Sequence, residues 1–318
     1  MSRILLTGAS GFVGKALHKR LLEENHEVFG TVRSSSDSLM PDQQYSLLDI
    51  CNRDEVDEVV QRVRPTHLVH LAAISSVANS FKDPLLTWNT NIIGTLNLME
   101  SLKKNAPGCF VLFVSSSEVY GESFKTGELL TEDAVCHPMN PYAASKLAAE
   151  IAFKQYLRQG QRGIIVRPFN HIGPGQSVDF VTASFARQIA LIEAGLQRPV
   201  LRVGNLEASR DFLDVNDVCD AYVKILGQDQ STFAHTVYNI SSGSTRKIQT
   251  VLNELLAQTL HPIEIQTDPE RLRPSDIPVA AGSNARIHDE LGWSPATLFS
   301  QTLASVLNYW REQTSPSK

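Results

Sequence analysis

The sequence has little cysteine and no long apolar run, and each absence excludes a class of protein. Its four cysteines lie far apart, without a CxxC pair or a Cys/His cluster, so we expect neither a disulfide framework nor a metal site. No apolar stretch approaches the roughly 20 residues of a membrane-spanning helix, and the amino-terminal apolar run is too short for a secretory signal. These features predict a cytoplasmic protein with no membrane partner.

The chain also lacks an excess of positive charge. With 29 Lys and Arg against 34 Asp and Glu, its net charge is −5, which argues against a broad surface for nucleic acid. A local arginine cluster for one phosphate ligand is compatible with this balance. Apolar residues make up 42% and charged residues 20% of the 318 positions, which is an ordinary globular composition, and the length suggests two compact units.

The first half of the chain alternates short β-branched segments with longer helical patterns. Strands are predicted at 4–7, 27–32, 67–71, 109–115 and 163–168, and helices at 12–24, 53–63, 84–104 and 141–158. Strands that alternate with helices need crossover connections, which produce a mostly parallel sheet with helices on both faces. The predicted fold is therefore α/β, with a doubly wound parallel sheet of the Rossmann type.

The second half loses this alternation after Pro168. Proline and glycine cluster at 168–175, which predicts a loop. Beyond it, helices are predicted at 181–195, 215–226, 248–260, 285–291 and 298–312, and short strands at 200–203, 237–240 and 263–266. We assign 1–168, with a returning segment at about 211–240, to the domain of the large sheet, and 169–210 with about 241–318 to a smaller mixed α/β lobe.

A glycine-rich turn follows the first predicted strand directly. Gly8, Gly11 and Gly14 fall at positions i, i+3 and i+6, and Phe12 and Val13 begin the next helix. A dinucleotide diphosphate needs a tight turn, a close approach of the backbone and a helix amino terminus aimed at it. After an amino-terminal strand in a βαβ unit, this pattern predicts dinucleotide binding rather than a turn with no ligand.

The residue after the second strand indicates which dinucleotide binds. NAD-binding proteins usually place an acidic residue there, whereas this chain has Arg33, whose guanidinium can form paired hydrogen bonds with a 2′-phosphate. The cofactor that we predict is therefore NADP(H), with Asp37 close by as the residue that argues for NAD(H). Further cofactor contacts are expected at the ends of the next two strands, at Asp49, Ile50, Leu71, Ala72 and Ala73.

Tyr142 and Lys146 lie four residues apart in a helix that Pro141 begins, so they share one helix face. A free tyrosine has a pKa near ~10 and is a poor proton carrier at neutral pH. We expect the ammonium of Lys146 to lower the pKa of Tyr142 by favouring the phenolate. Tyr142 then becomes a credible proton carrier to a carbonyl or hydroxyl oxygen.

Ser115, Ser116 and Ser117 end the strand before this helix, where ligands lie in open α/β sheets. A serine hydroxyl there can donate to the substrate oxygen that the tyrosine protonates. Asn91 falls in a helix that is otherwise suited to packing, and a buried asparagine needs partners. We expect Asn91 to bridge the backbone to Lys146, either directly or through water.

Together, TGASGFVG, the serine-rich strand end, YAASK and Asn91 resemble the extended short-chain dehydrogenases/reductases. The second half extends the resemblance. Its motifs RPFNHIGPGQ, VGNLEASRDF and LRPSDIP are similar to those of the bacterial GDP-4-keto-6-deoxy-mannose reductases and, less closely, of the GDP-mannose 4,6-dehydratases. The resemblance covers essentially the whole chain, and the three later motifs are more specific than the glycine loop.

The resemblance implies a role for each matching residue. Tyr142 would be the proton donor, and Lys146 would tune it and bind the ribose. Ser116 would be the hydroxyl partner because it occupies the position of the serine or threonine in the relatives, with Ser115 and Ser117 as adjacent alternatives. The implied contacts to the sugar nucleotide, in the smaller lobe and at the strand end, are Ser115, Ser116, Ser117, Glu118, Asn170, Arg210, Arg273 and Asp276.

The implied activity is NADPH-dependent reduction of the C4 ketone of GDP-4-keto-6-deoxy-D-mannose, with GDP-D-rhamnose as the expected product. A GDP-mannose 4,6-dehydratase is the alternative because Glu118 occupies the position of the C5 base in those enzymes, although the segment between Arg33 and Tyr45 is short for a dehydratase. A UDP-sugar 4-epimerase ranks next, and a catalytically silent NADP-binding regulator last, since Tyr142 and Lys146 are both present. The sequence leaves open the stereochemistry at C4 and the choice of GDP over UDP or dTDP.

The helices predicted at 84–104 and 141–158 are the expected site of self-association. Small and apolar residues form a stripe along the second helix, at Ala144, Leu147, Ala148, Ile151 and Ala152. In the relatives, these two helices meet their copies across a two-fold axis, so the resemblance implies a homodimer. The stripe could instead pack on the sheet of its own subunit.

Overall fold

The computed structural model describes residues 2–34, 45–271 and 277–315. The strands in these residues are β1 (Arg3–Thr7), β2 (Glu27–Val32), β3 (Tyr45–Leu47), β4 (His67–His70), β5 (Phe110–Val114), β6 (Arg162–Pro168), β7 (Asn170–Ile172), β8 (Val200–Val203), β9 (Ser209–Arg210), β10 (Phe212–Asp214), β11 (Val237–Ile240), β12 (Arg246–Lys247), β13 (Glu264–Thr267) and β14 (Val279–Ala280). The helices are α1 (Phe12–Glu23), α2 (Arg53–Val63), α3 (Val77–Lys82), α4 (Pro84–Trp88), α5 (Gly94–Asn105), α6 (Pro141–Arg158), α7 (Val181–Glu193), α8 (Val215–Leu226), α9 (Ile248–Leu256), α10 (Ala285–Leu291) and α11 (Phe299–Thr314).

A seven-stranded parallel sheet organises the molecule. Its strand order is β11-β6-β5-β4-β1-β2-β3, so the chain moves outward from β1 in one direction and then returns to extend the sheet in the other. Central strands such as β5 are buried along their whole length, because helices cover both faces of the sheet. The predicted doubly wound α/β fold is confirmed.

Successive residues of β1 supply two cores, since side chains alternate between the faces of a strand. Leu6 packs with Leu17 of α1 and Tyr222 of α8 on one face. Leu5 packs with Leu98 of α5 and Phe153 of α6 on the other. The helices α1 and α6, which carry the predicted cofactor and catalytic motifs, are therefore fixed on opposite faces of the same sheet.

A third core joins α7, α9 and α11, and the short pairs β8–β13 and β7–β10 lie outside the large sheet. β11 returns to pair with β6. Three residues that the predicted division gives to the smaller lobe, Ile287, Leu291 and Trp293, pack in the core that α1 and α8 share. The division into two domains stays a prediction.

Two local expectations were wrong. The helix predicted at 84–104 is interrupted by a π-helical turn at Asn89–Ile93, so it forms α4, the turn and α5. The segment 168–175, predicted as a loop, contains β7, which pairs with β10 some forty residues later. Among the helices of the described segments, none has the length and apolar character needed to cross a bilayer.

Candidate active site

The glycine turn lies at the carboxyl end of β1, and two of its positions require glycine. Gly8 has φ of +72°, and a Cβ there would lie 2.9 Å from the backbone nitrogen of Ala72. A Cβ at Gly14 would lie 2.2 Å from the carbonyl oxygen of Gly8. α1 then begins without a side-chain cap and without an acidic residue in its first turn. Its amino terminus can therefore receive an anion such as a diphosphate.

The predicted cofactor residues that follow β2, β3 and β4 lie at the same edge of the sheet as this turn, because neighbouring parallel strands end at one edge. Arg33 is exposed directly after β2. Asp49 is exposed after β3 and accepts a hydrogen bond from the backbone of Cys51 at 2.9 Å. Ile50 is buried beside it, and Leu71, Ala72 and Ala73 continue from β4 half-buried. The arrangement fits a dinucleotide lying across the ends of β1 to β4.

Tyr142 and Lys146 lie on the buried face of α6, which Asn140 caps by accepting from the backbone of Ala143. Burial raises the pKa of Tyr142 to about 12, with a hydrogen bond to Ser116 acting in the opposite direction. The expectation that Lys146 lowers the tyrosine pKa was wrong, since the cost of burying the phenolate dominates. Tyr142 is therefore protonated at neutral pH and able to donate a proton.

Lys146 has the opposite response to the same burial. Burial lowers its pKa to about 8, and the charge of Glu150 acts against that shift. The ammonium lies 4.9 Å from the centroid of the Phe113 ring, which supplies a cation–π contact. Lys146 therefore keeps its proton at neutral pH and loses it at a lower pH than an exposed lysine does.

The three serines after β5 have different surroundings. Ser115 donates its hydroxyl to the buried carboxylate of Glu150. Ser116 caps a short 3₁₀ turn by accepting from the backbone of Glu118 at 3.2 Å, and it lies close enough to act on Tyr142. Ser117 is buried. The geometry favours Ser116 among the three as the hydroxyl partner, and its role stays a prediction.

The implied sugar-nucleotide contacts fall partly inside the described structure. Glu118 accepts a hydrogen bond from the side-chain amide of Asn140 at 3.1 Å, so the cap of α6 orients its carboxylate. Arg210 donates to the backbone oxygens of Ser209 and Ile277. Burial lowers the pKa of Arg210, and the negative charge of Glu118 acts in the opposite direction. Asn170 is exposed at the start of β7, in register with Phe212 two residues beyond Arg210. Arg273 and Asp276 lie outside the described residues.

Asn91 bonds the backbone as expected, and it reaches α6 at Ser145, the residue before Lys146. Its side chain bonds both backbone groups of Ile74, at 2.8 and 3.2 Å, and donates to the hydroxyl of Ser145 at 2.8 Å. Asn91 therefore joins the segment after β4 to α6 through Ser145. It makes no direct hydrogen bond to Lys146, and a bridge through water stays a prediction. The π-helical turn sets this position of the side chain.

Sequence reasoning missed the ion pair of Glu150 and Arg167. The guanidinium donates to the two carboxylate oxygens at 3.0 and 2.8 Å, and both side chains are buried. Glu150 follows Lys146 by four residues on the same face of α6. The available signal was an arginine directly after the apolar run 164–166 of β6, which must find a partner when buried.

A separate cavity of about 600 Å³ lies at the opposite edge of the sheet, lined by Ser2, His26, Arg64 and Arg162 among others. None of the predicted site residues within the described segments lines it. Ligands in open parallel sheets bind beyond the carboxyl ends of the strands, so we locate the active site at the other edge.

The family described as GDP-mannose 4,6 dehydratase matches residues 5–306 of the chain. A GDP-6-deoxy-D-mannose reductase of Pseudomonas aeruginosa is 40% identical over 98% of both chains. A GDP-6-deoxy-D-talose 4-dehydrogenase of Aggregatibacter actinomycetemcomitans is 31% identical over 91% of both. A solved structure of RMD from Pseudomonas aeruginosa complexed with NADPH has a TM-score of 0.84 at 37% identity, and the match covers 98% of this chain and 100% of the other.

Proposed function

The chain belongs to the GDP-mannose 4,6 dehydratase family of the extended short-chain dehydrogenases/reductases, and we propose that it reduces the C4 ketone of GDP-4-keto-6-deoxy-D-mannose with NADPH. The observation that carries this proposal is the buried Tyr142 beside Ser116 at the carboxyl edge of the sheet. A ketone reduction needs a proton donor at the carbonyl oxygen, and a tyrosine with a pKa of about 12 holds its proton at neutral pH.

NADP(H) is the cofactor that we propose, since the chain has residues suited to its diphosphate, its 2′-phosphate and its ribose hydroxyls. Gly8 and Gly14 leave room for the diphosphate at the amino terminus of α1, and the exposed Arg33 would bind the 2′-phosphate. Lys146 would donate to the ribose hydroxyls from its buried position. When bound, the reduced nicotinamide supplies the hydride that C4 accepts.

The chain's own residues then control the proton and the orientation of the sugar. Tyr142 donates its proton to the C4 oxygen as negative charge develops there, and Ser116 donates a hydrogen bond to the same oxygen. Arg210 and Asn170, with Arg273 and Asp276, would hold the GDP portion. The product would be GDP-D-rhamnose, a precursor for the deoxysugars of surface polysaccharides. We place the enzyme in the cytoplasm, where its four unpaired cysteines would stay reduced.

Tyr142→Phe tests the proposal directly. It should lower turnover at least about 10²-fold with little change in NADPH affinity, because only proton transfer is lost. Tyr156→Phe is the matched control, since this tyrosine lies on the same helix but bonds Glu100 away from the site. Near wild-type turnover in Tyr142→Phe would remove this residue from the mechanism.

A GDP-mannose 4,6-dehydratase is the second candidate, because Asn140 orients the Glu118 carboxylate within electrostatic range of Tyr142. A dehydratase needs this carboxylate as the base for the C5 proton, whereas a reductase does not. Loss of deuterium from C5 of GDP-mannose in the wild type but not in Glu118→Gln would support the dehydratase. Glu122→Gln, at an exposed glutamate on the same loop, is the control.

We also propose a homodimer through α4–α5 and α6. The face of α6 on the sheet side carries Phe153 in the core, while Ile151 is 62% exposed on the opposite face. Leu85 of α4 is 82% exposed and Phe81 of α3 62%. Such neighbouring apolar residues are typical of a surface that is covered by a second copy. Sedimentation should give a dimer for the wild type and the 35.1 kDa monomer for Ile151→Glu. Leu260→Glu, at an exposed leucine outside these helices, should remain a dimer.

A further inference from the structure

A row of buried hydrogen bonds runs through the sheet beneath the active site. The hydroxyl of Thr7, at the end of β1, lies 2.8 Å from Nδ1 of His70 in β4. On the other side of the ring, Nε2 lies 3.1 Å from the hydroxyl of Thr95 in α5. That hydroxyl in turn lies 2.7 Å from the carbonyl oxygen of Asn91, and the four residues are all buried.

The direction of each bond in this row follows from the number of hydrogens available. Thr95 has one hydroxyl hydrogen, which must go to the carbonyl of Asn91, so Nε2 of His70 carries the hydrogen between them. In the neutral ring Nδ1 is then an acceptor, and Thr7 donates to it. The oxygen of Thr7 is left to accept from the backbone N–H of Ala72 at 3.2 Å. All the bonds therefore point one way, and the tautomer of His70 is fixed.

Both ends of the row lie at parts of the proposed active site. At one end, Ala72 is the residue whose backbone contacts Gly8 of the cofactor turn. At the other end, Asn91 donates through its side chain to Ser145, which donates to the carbonyl of Tyr142 at 2.7 Å. Hydrogen bonds that share donors and acceptors in a buried chain reinforce one another. A substitution at one end of the row should therefore alter the hydrogen bonds at the other end.

We propose that His70 is a positioning residue that couples the cofactor turn to the helix bearing Tyr142, so that the nicotinamide and the proton donor are held in register. This proposal rests on the proposed function for its catalytic meaning, but its binding consequence can be measured without any sugar. The neutral ring is stable across the physiological range, since burial and the nearby charge of Lys146 lower the pKa of His70 to about 3. An apolar side chain at position 70 would fill the same space in the core without joining Thr7 to Thr95.

A double-mutant cycle on NADPH binding tests the coupling. Thr95→Val, far from the cofactor turn along the row, should raise the NADPH Kd about tenfold in the wild-type background, because it removes the acceptor that fixes the tautomer. In the His70→Leu background the same substitution should change the Kd less than about twofold. Thr95→Ser, which keeps the hydroxyl, should restore wild-type affinity. If His70→Leu fails to fold, a double-mutant cycle of Thr7→Val and Thr95→Val replaces it. The NADPH Kd of that double variant should then be no higher than the Kd of the single variant that binds NADPH less tightly.

Thr87→Val is the matched control. Thr87 is buried and donates to the carbonyl four residues earlier, as Thr95 does, but it bonds Asp83 outside the row. It should lower the urea midpoint of unfolding as much as Thr95→Val and leave the NADPH Kd unchanged. Equal effects of Thr95→Val in both His70 backgrounds, or an equal loss of affinity in Thr87→Val, would overturn the proposal. A wild type that binds NADPH but fails to reduce the keto sugar would overturn the proposed function instead.

Discussion

Replacing Glu150 by glutamine should destabilise the fold by about 3–5 kcal/mol, because it leaves a buried guanidinium without its counter-charge. Glu150 is fully buried, and Arg167 is 3% exposed. The carboxylate accepts two hydrogen bonds from Arg167 and one from Ser115. A glutamine can keep one acceptor, but its amide nitrogen would face the donors of the guanidinium, so one donor is left unpaired as well.

Burial, rather than the geometry of the pair, sets this magnitude, and the chain contains a matched control. Arg311 also forms paired bonds with Glu193, at 2.7 and 2.7 Å, but these side chains are 35% and 18% exposed. Glu193→Gln should therefore cost at most about 1 kcal/mol, since water screens the pair and solvates what remains.

Urea unfolding followed by circular dichroism at neutral pH, without ligand, measures both variants. The midpoint of Glu150→Gln should fall well below that of Glu193→Gln, with similar slopes. Added salt should weaken the exposed Glu193–Arg311 pair. It should leave the difference in unfolding free energy between the wild type and Glu150→Gln nearly unchanged. Equal losses for the two variants, or a loss of less than about 1 kcal/mol for Glu150→Gln, would refute the argument from burial.

Three further predictions concern the cofactor. Arg33→Ala should weaken NADPH binding about tenfold or more and leave NADH binding nearly unchanged, since a charge-assisted bond contributes roughly 1.5–3 kcal/mol; equal losses in titrations with the two cofactors would show that Arg33 does not bind the 2′-phosphate. Gly14→Ala should abolish NADPH binding, because its Cβ would lie 2.2 Å from a backbone oxygen, whereas Gly108→Ala, with nothing within 4 Å, should leave calorimetric affinity and thermal stability unchanged. NADPH affinity measured by fluorescence should fall as pH rises through about 8, where Lys146 loses its proton, and the fall should move to lower pH in Glu150→Gln, since the charge of Glu150 raises the lysine pKa. An affinity that stays level up to about pH 10, the ordinary range for lysine, would contradict this assignment.

The alternation of strands and helices could be predicted because parallel strands buried on both faces produce apolar runs, as in β5. β7 could not, since its partner β10 lies far along the chain and the segment carries the proline and glycine of a loop. The π-helical turn places Asn91 against Ile74 and Ser145, and no local pattern reveals these contacts between distant segments.

The candidate site divides in the same way. The positions of Tyr142 and Lys146 on one helix face follow from their spacing, but the direction of the tyrosine pKa shift depends on how deeply the packed helix buries it. The different surroundings of Ser115 and Ser116 depend on Glu150, which resembles any polar helix residue in the sequence.

The measurement that tests the reductase proposal most directly is NADPH oxidation, followed by its near-ultraviolet absorbance, with GDP-, UDP- and dTDP-linked 4-keto-6-deoxy sugars and with GDP-mannose. We predict one NADPH consumed for each molecule of GDP-4-keto-6-deoxy-D-mannose, with GDP-D-rhamnose as the product by nuclear magnetic resonance, and no reaction of GDP-mannose alone. Conversion of GDP-mannose without net consumption of NADPH, or oxidation of NADPH with the UDP- or dTDP-linked sugar but not the GDP-linked one, would contradict the proposal.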